Sequence, residues 1–344
     1  MARSSKSPKT RNIEPSVQTM LFVTPNTAAG ATSTLYVDLS QVASLMNRRF
    51  YRQGLNWAVA GFKFITPPLA VGQTAKSSVV ISKLPNTWVL ANSWKKSLAV
   101  WTRMNNEALE ENEGIRPRFL DFKVYADDTH HTLGYGANLL PSLYTAGEWE
   151  ASKIVMPDFD FVTDSVTRHS REFIAVGPSY PGASASSGFD AVSMIEGYAS
   201  SRLLPNVLDP NAPADAVDTD GLTPENWMTA LFNDGQITDT AIIEDMITEN
   251  NISPYPFEND GVNLDTMYPG GANQSPVLQP HDVNSISGTT IGGTTRLKGG
   301  NFPCGLIRLD HIVSVESISH GLTMIVDLIP GNHRGYLAES MQEM

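Results

Sequence analysis

The chain has a single cysteine, Cys304, which excludes a disulfide framework within it and any cluster of thiolate metal ligands. No apolar run approaches the ~20 residues that a membrane-spanning helix needs. No apolar stretch follows the basic residues at the N-terminus, so the start does not read as a secretory signal, and a soluble intracellular product is expected. Signatures of catalysis are missing too. There is no GxxxxGK phosphate loop, no GxGxxG after a strand, no HExxH and no GxSxG, and GPSYPG (177–182) has the wrong spacing for a nucleophile elbow. The expectation is a protein without enzymatic activity and without a cofactor.

Two further absences concern charge. From Leu203 to Thr295 there is no Lys or Arg, while those 93 residues carry 14 acids. The rest of the chain holds 24 basic and 22 acidic residues, so the formal net charge of -12 belongs to that one stretch. Its length suggests an inserted segment held away from any polyanion. The opposite absence lies at the N-terminus, where MARSSKSPKTRN contains Arg3, Lys6, Lys9 and Arg11 and no carboxylate. Apart from Met1 and Ala2, Ser, Thr, Pro and Asn fill the other positions, which cannot bury enough apolar surface to offset the entropy of ordering. Residues 1–15 are therefore expected to be a disordered basic arm, and 16–344 one folded domain.

What is present is a pattern of strands. Eight segments combine β-branched and aromatic enrichment, alternation and flanking turn residues: 34–40, 55–66, 77–84, 116–126, 148–156, 170–177, 304–312 and 322–330. In the last, Leu322, Met324, Val326 and Leu328 fall on one side. One long helix interrupts the series. TWVLANSWKKSLAVWTRMNNEALEE places Trp88, Ala91, Trp94, Leu98 and Trp101 three or four residues apart, with Asn86 or Thr87 as cap. Helical spacing makes that stripe core rather than a platform for stacking sugars or bases. Residues 178–302 read as a long acidic insertion with short helices at Pro224–Phe232 and Asp239–Glu249. The absence of strand–helix alternation disfavours a doubly wound fold. The expected fold is all-β: an eight-stranded antiparallel jelly-roll sandwich, with the helix between its third and fourth strands and the insertion between its sixth and seventh.

Few residues suggest bound ions. ADDTHH (126–131) offers Asp127, Asp128, His130 and His131, but neighbours on a strand point to opposite faces, and a polar turn is the simpler reading. DTDG (218–221) fails the EF-hand frame, which would place Ala216 and Trp227 where acids are required. ENDGVNLD (258–265) offers Asp260, Asn263 and Asp265. No metal site is expected. NRRFYRQG (47–54) is more informative, because Arg48, Arg49 and Arg52 interleave with Phe50 and Tyr51. That is the composition of a surface that stacks bases and holds phosphates of single strands. It is equally the composition of arginines paired around a buried aromatic pair.

In linear order, NRRFYRQGLNWAVA, SKLPNTWVLANSWKKSLAVW, RFLDFKVYADDTHH, GEWEASKIV, the acidic ITENNISPYPF followed by YPGG, NFPCGLIRLD and GNHRGYLAESMQEM resemble one family. It is that of the capsid proteins of small circular, Rep-encoding single-stranded DNA (CRESS-DNA) viruses of the environmental, unclassified type. The resemblance covers most of the chain from about residue 35 onward and rests on the ensemble. It implies a jelly-roll subunit, no enzymatic activity, a shell built from copies of the chain, packaged single-stranded DNA as partner, and a virion location. It implies no membrane and leaves the host receptor unknown. The nucleic-acid-binding residues are then Arg3, Lys6, Lys9, Arg11, Arg48, Arg49 and Arg52. The arm departs from the long Arg-rich arms frequent in such capsids. At about −0.7 in salt slope per phosphate contact, four contacts lose roughly fifty-fold in affinity between 50 and 200 mM salt, so avidity must come from assembly. Two other classes fit the composition: a carbohydrate-binding or hydrolytic β-sandwich, and a coat or spike protein of an RNA virus.

Overall fold

A computed structural model describes residues 16–67, 74–110, 114, 120–144, 149–160, 165–203, 277–288 and 293–343. The arm, the two short helices expected at 224–232 and 239–249, and the Asp260–Asp265 group lie outside the described residues.

The described chain is β-rich. Strands β1 (Thr19–Val23) and β2 (Thr32–Asp38) lead into helix α1 (Leu39–Asn47), followed by β3 (Leu55–Ile65), β4 (Lys76–Lys83) and helix α2 (Trp88–Leu109). Helix α3 (Asp128–Leu133), strands β5 (Lys153–Asp160), β6 (Ser165–Ile174) and β7 (Asp190–Ser193), and helix α4 (Met194–Leu203) come next. The C-terminal part supplies β8 (Gln279–Ser287), β9 (Thr294–Phe302), β10 (Leu306–Val313), β11 (Thr323–Leu328), β12 (Pro330–Gly331), β13 (Gly335–Tyr336) and β14 (Ala338–Ser340).

Two antiparallel sheets face each other. One runs β1-β11-β3, with β9 on the far side of β3 and β14 continuing beyond β11 along the near side. The other runs β2-β10-β4-β8. Their inner faces bury Phe22, Trp57, Phe62, Phe64, Val79, Ile81, Ile307, Leu309, Met324 and Val326 in one core. Burial of each such side chain contributes roughly 1.5–3 kcal/mol, which makes this alternation the main determinant of register. β11 behaves as its sequence predicts, with Met324, Val326 and Leu328 buried.

Edges are covered on both sides, which removes templates for unwanted pairing. Leu139 N–H donates to Tyr36 O of β2 (2.7 Å) and Ser142 N–H to Leu21 O of β1 (2.7 Å), so one loop caps two strands. Across the sandwich, β8 side chains take backbone groups of β9. The Asp282 carboxylate accepts from Lys298 N–H (2.8 Å), and Asn284 Nδ2 donates to Arg296 O (3.4 Å).

Between β4 and β8 lies a lobe built on α2 and the sheet β5-β6-β7, with its own core. Thr87 caps α2, its Oγ1 accepting from Leu90 N–H (3.4 Å). Val89, Leu90, Ala91, Trp94 and Trp101 are buried there, and the partly buried Trp88 and Leu98 pack against that core, so the stripe faces the core with its Trp88 end half-buried.

The structure corrects several strand assignments. Five of the eight expected strands lie in the two facing sheets, whereas 148–156 and 170–177 overlap β5 and β6 in the lobe. The described part of 116–126 is extended, and only Tyr125 forms a bridge, to Ile174. Val124 takes its two backbone bonds from the Gln53 side chain instead of a strand. The places left open are filled by β1, β8 and β9. β8 and β9 lie within 178–302, so the acidic stretch is not one uninterrupted insertion: its end supplies sheet strands. The strand expected at 34–40 stops at Asp38, whose carboxylate caps α1 by accepting from Ser40 N–H (2.8 Å) and Gln41 N–H (3.3 Å).

Candidate nucleic-acid interface

Helix α1 ends at Arg48, which adopts left-handed backbone angles (φ 54°, ψ 38°) and is exposed. The turn sends Arg49–Gly54 over the ends of β13 and the lobe. Tyr51 is buried: its N–H donates to Ser44 Oγ (3.0 Å), its hydroxyl donates to Arg334 O (3.1 Å), and its ring packs on Trp57 and Tyr336. Burial raises the Tyr51 pKa, and Arg49, hydrogen-bonded to its side chain, opposes that. Arg52 is exposed, donates from Nε to Leu120 O (3.3 Å), and holds its guanidinium 5.7 Å from the Phe50 ring centre. Arg334 donates from Nη1 to Phe50 O.

Beneath the arginines the loop is rigidly held. Gln53 is fully buried, donating to Asp38 Oδ2 (3.3 Å) and Val124 O (3.1 Å) and accepting from Val124 N–H (2.7 Å). Gly54 leaves no room for a side chain, since a Cβ there would stand 2.2 Å from the Trp94 ring. Asp121 accepts from Gln53 N–H (3.4 Å), and burial pushes its carboxyl up to about 7 against the opposing pull of Lys123. Near neutral pH that acid is therefore only partly ionised just under the cationic loop.

The N-terminal segment joins the described residues at the same place. Val17 N–H donates to Asn47 Oδ1 (3.0 Å), Ser16 Oγ donates to Gly335 O (3.1 Å), and the Tyr336 hydroxyl donates to Val17 O (2.6 Å). Arg48 and Arg334 follow or precede those partners by one residue. Arg48, Arg49 and Arg52 are thus assembled with the root of the chain that carries Arg3, Lys6, Lys9 and Arg11, four residues that lie outside the described ones. Among the described residues no carboxylate forms an ion pair with Arg48, Arg52 or Arg334. Arg334 was not singled out by the sequence. It stands 286 positions after Arg48, and its only local signal is the basic-glycine pair within GNHRGYLAES.

The other polar cluster is structural. ADDTHH forms the first turn of α3, where Asp127 Oδ1 accepts from His130 N–H (2.8 Å) and the Tyr36 hydroxyl (2.7 Å), while Oδ2 pairs with Arg308 (2.8 Å). His130 Nδ1 accepts from Ala126 N–H (3.1 Å), so Nε2–H donates to Asn138 Oδ1 (2.7 Å). His131 pairs separately with Glu172 (3.0 Å). The four side chains do not converge, and among the described residues no group of three or more His, Cys, Asp or Glu could hold an ion.

Among the described residues no helix is long and apolar enough to cross a membrane. No family model, no curated protein and no solved structure matches the chain.

Proposed function

We propose that this chain is a jelly-roll capsid subunit that assembles with copies of itself around single-stranded DNA. The observation that carries the reading is the nesting of strand partners. With the three-residue β14 on the edge of β3 set aside, the other eight strands of the two facing sheets nest in chain order: first pairs with last (β1 with β11), second with seventh (β2 with β10), third with sixth (β3 with β9) and fourth with fifth (β4 with β8). One long hairpin rolled upon itself gives that pattern, and this is how a jelly roll is wound. The added pairs β3 with β11 and β4 with β10 are the contacts that rolling creates.

The arginine loop supports the nucleic-acid part. Its cations stand outward on a fixed base, Phe50 offers a half-buried ring beside Arg52, and the basic N-terminal residues are rooted alongside. Trp94 and Trp101 of α2 speak against a sugar-binding sandwich, since both are buried in the core of the lobe and are not open to stacking. Negative-stain microscopy of the recombinant protein tests the proposal. Closed particles whose absorbance ratio at 260 to 280 nm exceeds that of pure protein are expected. A strictly monomeric protein across a range of salt and pH sinks it.

A further inference from the structure

The outer face of the sheet β1-β11-β3-β9 carries a second group of cations. Lys63 of β3 lies directly opposite Arg296 of β9, and Lys298 lies two residues along β9, opposite Gly61. All three project outward, because the intervening Phe62, Phe64 and Leu297 are buried. Directly opposed like charges destabilise an antiparallel pair, their Cβ atoms being only ~5 Å apart. Among the described residues no carboxylate forms an ion pair with any of the three. Asp282 accepts from the Lys298 and Val283 amides and feels the Lys298 charge without forming an ion pair with it, and Asp327, one strand beyond Gly61, accepts from the Thr19 hydroxyl (2.7 Å).

Between these cations Gly61 and Gly299 present no side chains, and Gly299 is required, since a Cβ there would meet Val59 O at 2.2 Å. The register also links this face to the N-terminus. Thr19, Asp327, Gly61 and Lys298 form one row across four strands. Three strand spacings of about 4.8 Å put Lys298 some 14 Å from the strand that leads out of the arm. A costly like-charge pair calls for an anion that bridges several cations.

We propose that Lys63, Arg296 and Lys298 form a second phosphate-contacting track for single-stranded nucleic acid, separate from the arginine loop. The proposal rests on the nucleic-acid reading above. Charge complementarity identifies the phosphate backbone as occupant, and the half-buried Ile65 and Ile325 beside the cations give sugars or bases an apolar border.

Fluorescence anisotropy of a labelled thirty-nucleotide oligothymidine, titrated with the full-length protein at several salt concentrations, tests it. Replacing the three residues together (Lys63→Gln, Arg296→Gln, Lys298→Gln) removes three contacts and flattens the salt slope by about 2. Between 200 and 50 mM salt the variant then forgoes roughly twenty-fold of the affinity gain of the parent. Its melting temperature stays level or rises, because the cross-strand repulsion is gone. An unchanged slope overturns the track, and the arginine loop still stands if Arg48→Gln, Arg52→Gln and Arg334→Gln together flatten the slope. No effect from either set overturns the nucleic-acid reading itself. Intact binding with lost particle formation also overturns the track and assigns the cations to contact with an acidic surface of a neighbouring copy.

Discussion

The rings of Tyr36 and His130 stack face to face, 4.0 Å apart and 7° from parallel, at the seam between sandwich and lobe. Asp127 accepts from the Tyr36 hydroxyl and from the His130 backbone N–H and in turn holds Arg308, and Arg308 also grips Asp310 of its own strand (3.0 Å). One guanidinium thus compensates two acids, of which Asp127 is almost wholly buried. Arg308→Met should cost about 3 kcal/mol, because removing one partner leaves a buried charge uncompensated. Urea unfolding measures it. Adding Asp127→Asn should restore part of the loss, whereas strict additivity would show that the two residues do not act through each other.

Two buried imidazoles make stability fall in acid. Burial lowers His130 to about 3 and His311 to about 4, His311 also being opposed by His320. The unfolded chain binds protons near the ordinary histidine value of about 6.5, so between pH 6.5 and 4 it takes up protons that the folded state refuses. The contribution is fully present above pH 6.5 and lost as pH falls. Each histidine adds up to about 1.4 kcal/mol per pH unit to that slope. Denaturant midpoints at pH 4.5, 5.5, 6.5 and 7.5 should fall less steeply for His311→Gln than for the parent. Parallel curves would contradict the assignment.

Asp121 works in the opposite sense. Its folded carboxyl titrates at about 7 against an ordinary 3.8, and Oδ2 is buried with no hydrogen-bond partner. Between pH 4 and 7 the folded state keeps a proton that the unfolded state releases, so stability declines as pH rises through that window. Asp121→Asn keeps an acceptor for Gln53 N–H and removes the charge. It should gain on the order of 2–4 kcal/mol at pH 8 and little at pH 4. An equal gain at both values would mean that packing, not ionisation, sets the effect.

Gly54 and Trp94 tie the arginine loop to α2. Trp94→Ala should cost about 3–5 kcal/mol as a cavity opens against Phe122. Gly54→Ala alone should also destabilise, because its Cβ would overlap the indole, and Gly54→Ala combined with Trp94→Phe should recover part of the loss. Thermal melts of the three variants check this. If Gly54→Ala is neutral, the loop has freedom that the described contacts deny it.

The stripe containing Trp94 was legible because periodicity survives any tertiary context, and the alternating β11 was legible for the same reason. β8 and β9 were not. QPHDVNSIS is mostly polar with one fully buried position, and TTRLKGGNF carries two glycines, so neither shows a strand period. Their place is set by partners 196 to 245 residues away, β4 and β3. The segment before Tyr125 alternates like a strand, yet its neighbour is a glutamine side chain that mimics one. In the candidate interface, Arg48, Arg49 and Arg52 were readable as a cluster. Arg334 joins them only through the fold.

The arm and the arginine loop make separable predictions because they differ in what else they support. Residues 1–12 supply almost no apolar surface, so deleting them should leave the melting temperature unchanged. Particles without them should retain less nucleic acid, seen as a lower ratio of absorbance at 260 to 280 nm, but Arg48, Arg52 and Arg334 remain and the loss should be partial. Arg48→Gln with Arg52→Gln should lower the ratio with little change in the melt, since both residues are exposed and Arg52 gives up only its bond to Leu120 O and its contact with the Phe50 ring. Removing the arm as well should deepen the loss and flatten the salt slope by about 0.7 for each phosphate contact removed. A full nucleic-acid content in particles lacking the arm and both arginines would show that neither cluster contacts the packaged strand. The exposed cations of the β3–β9 face would then be the remaining candidates.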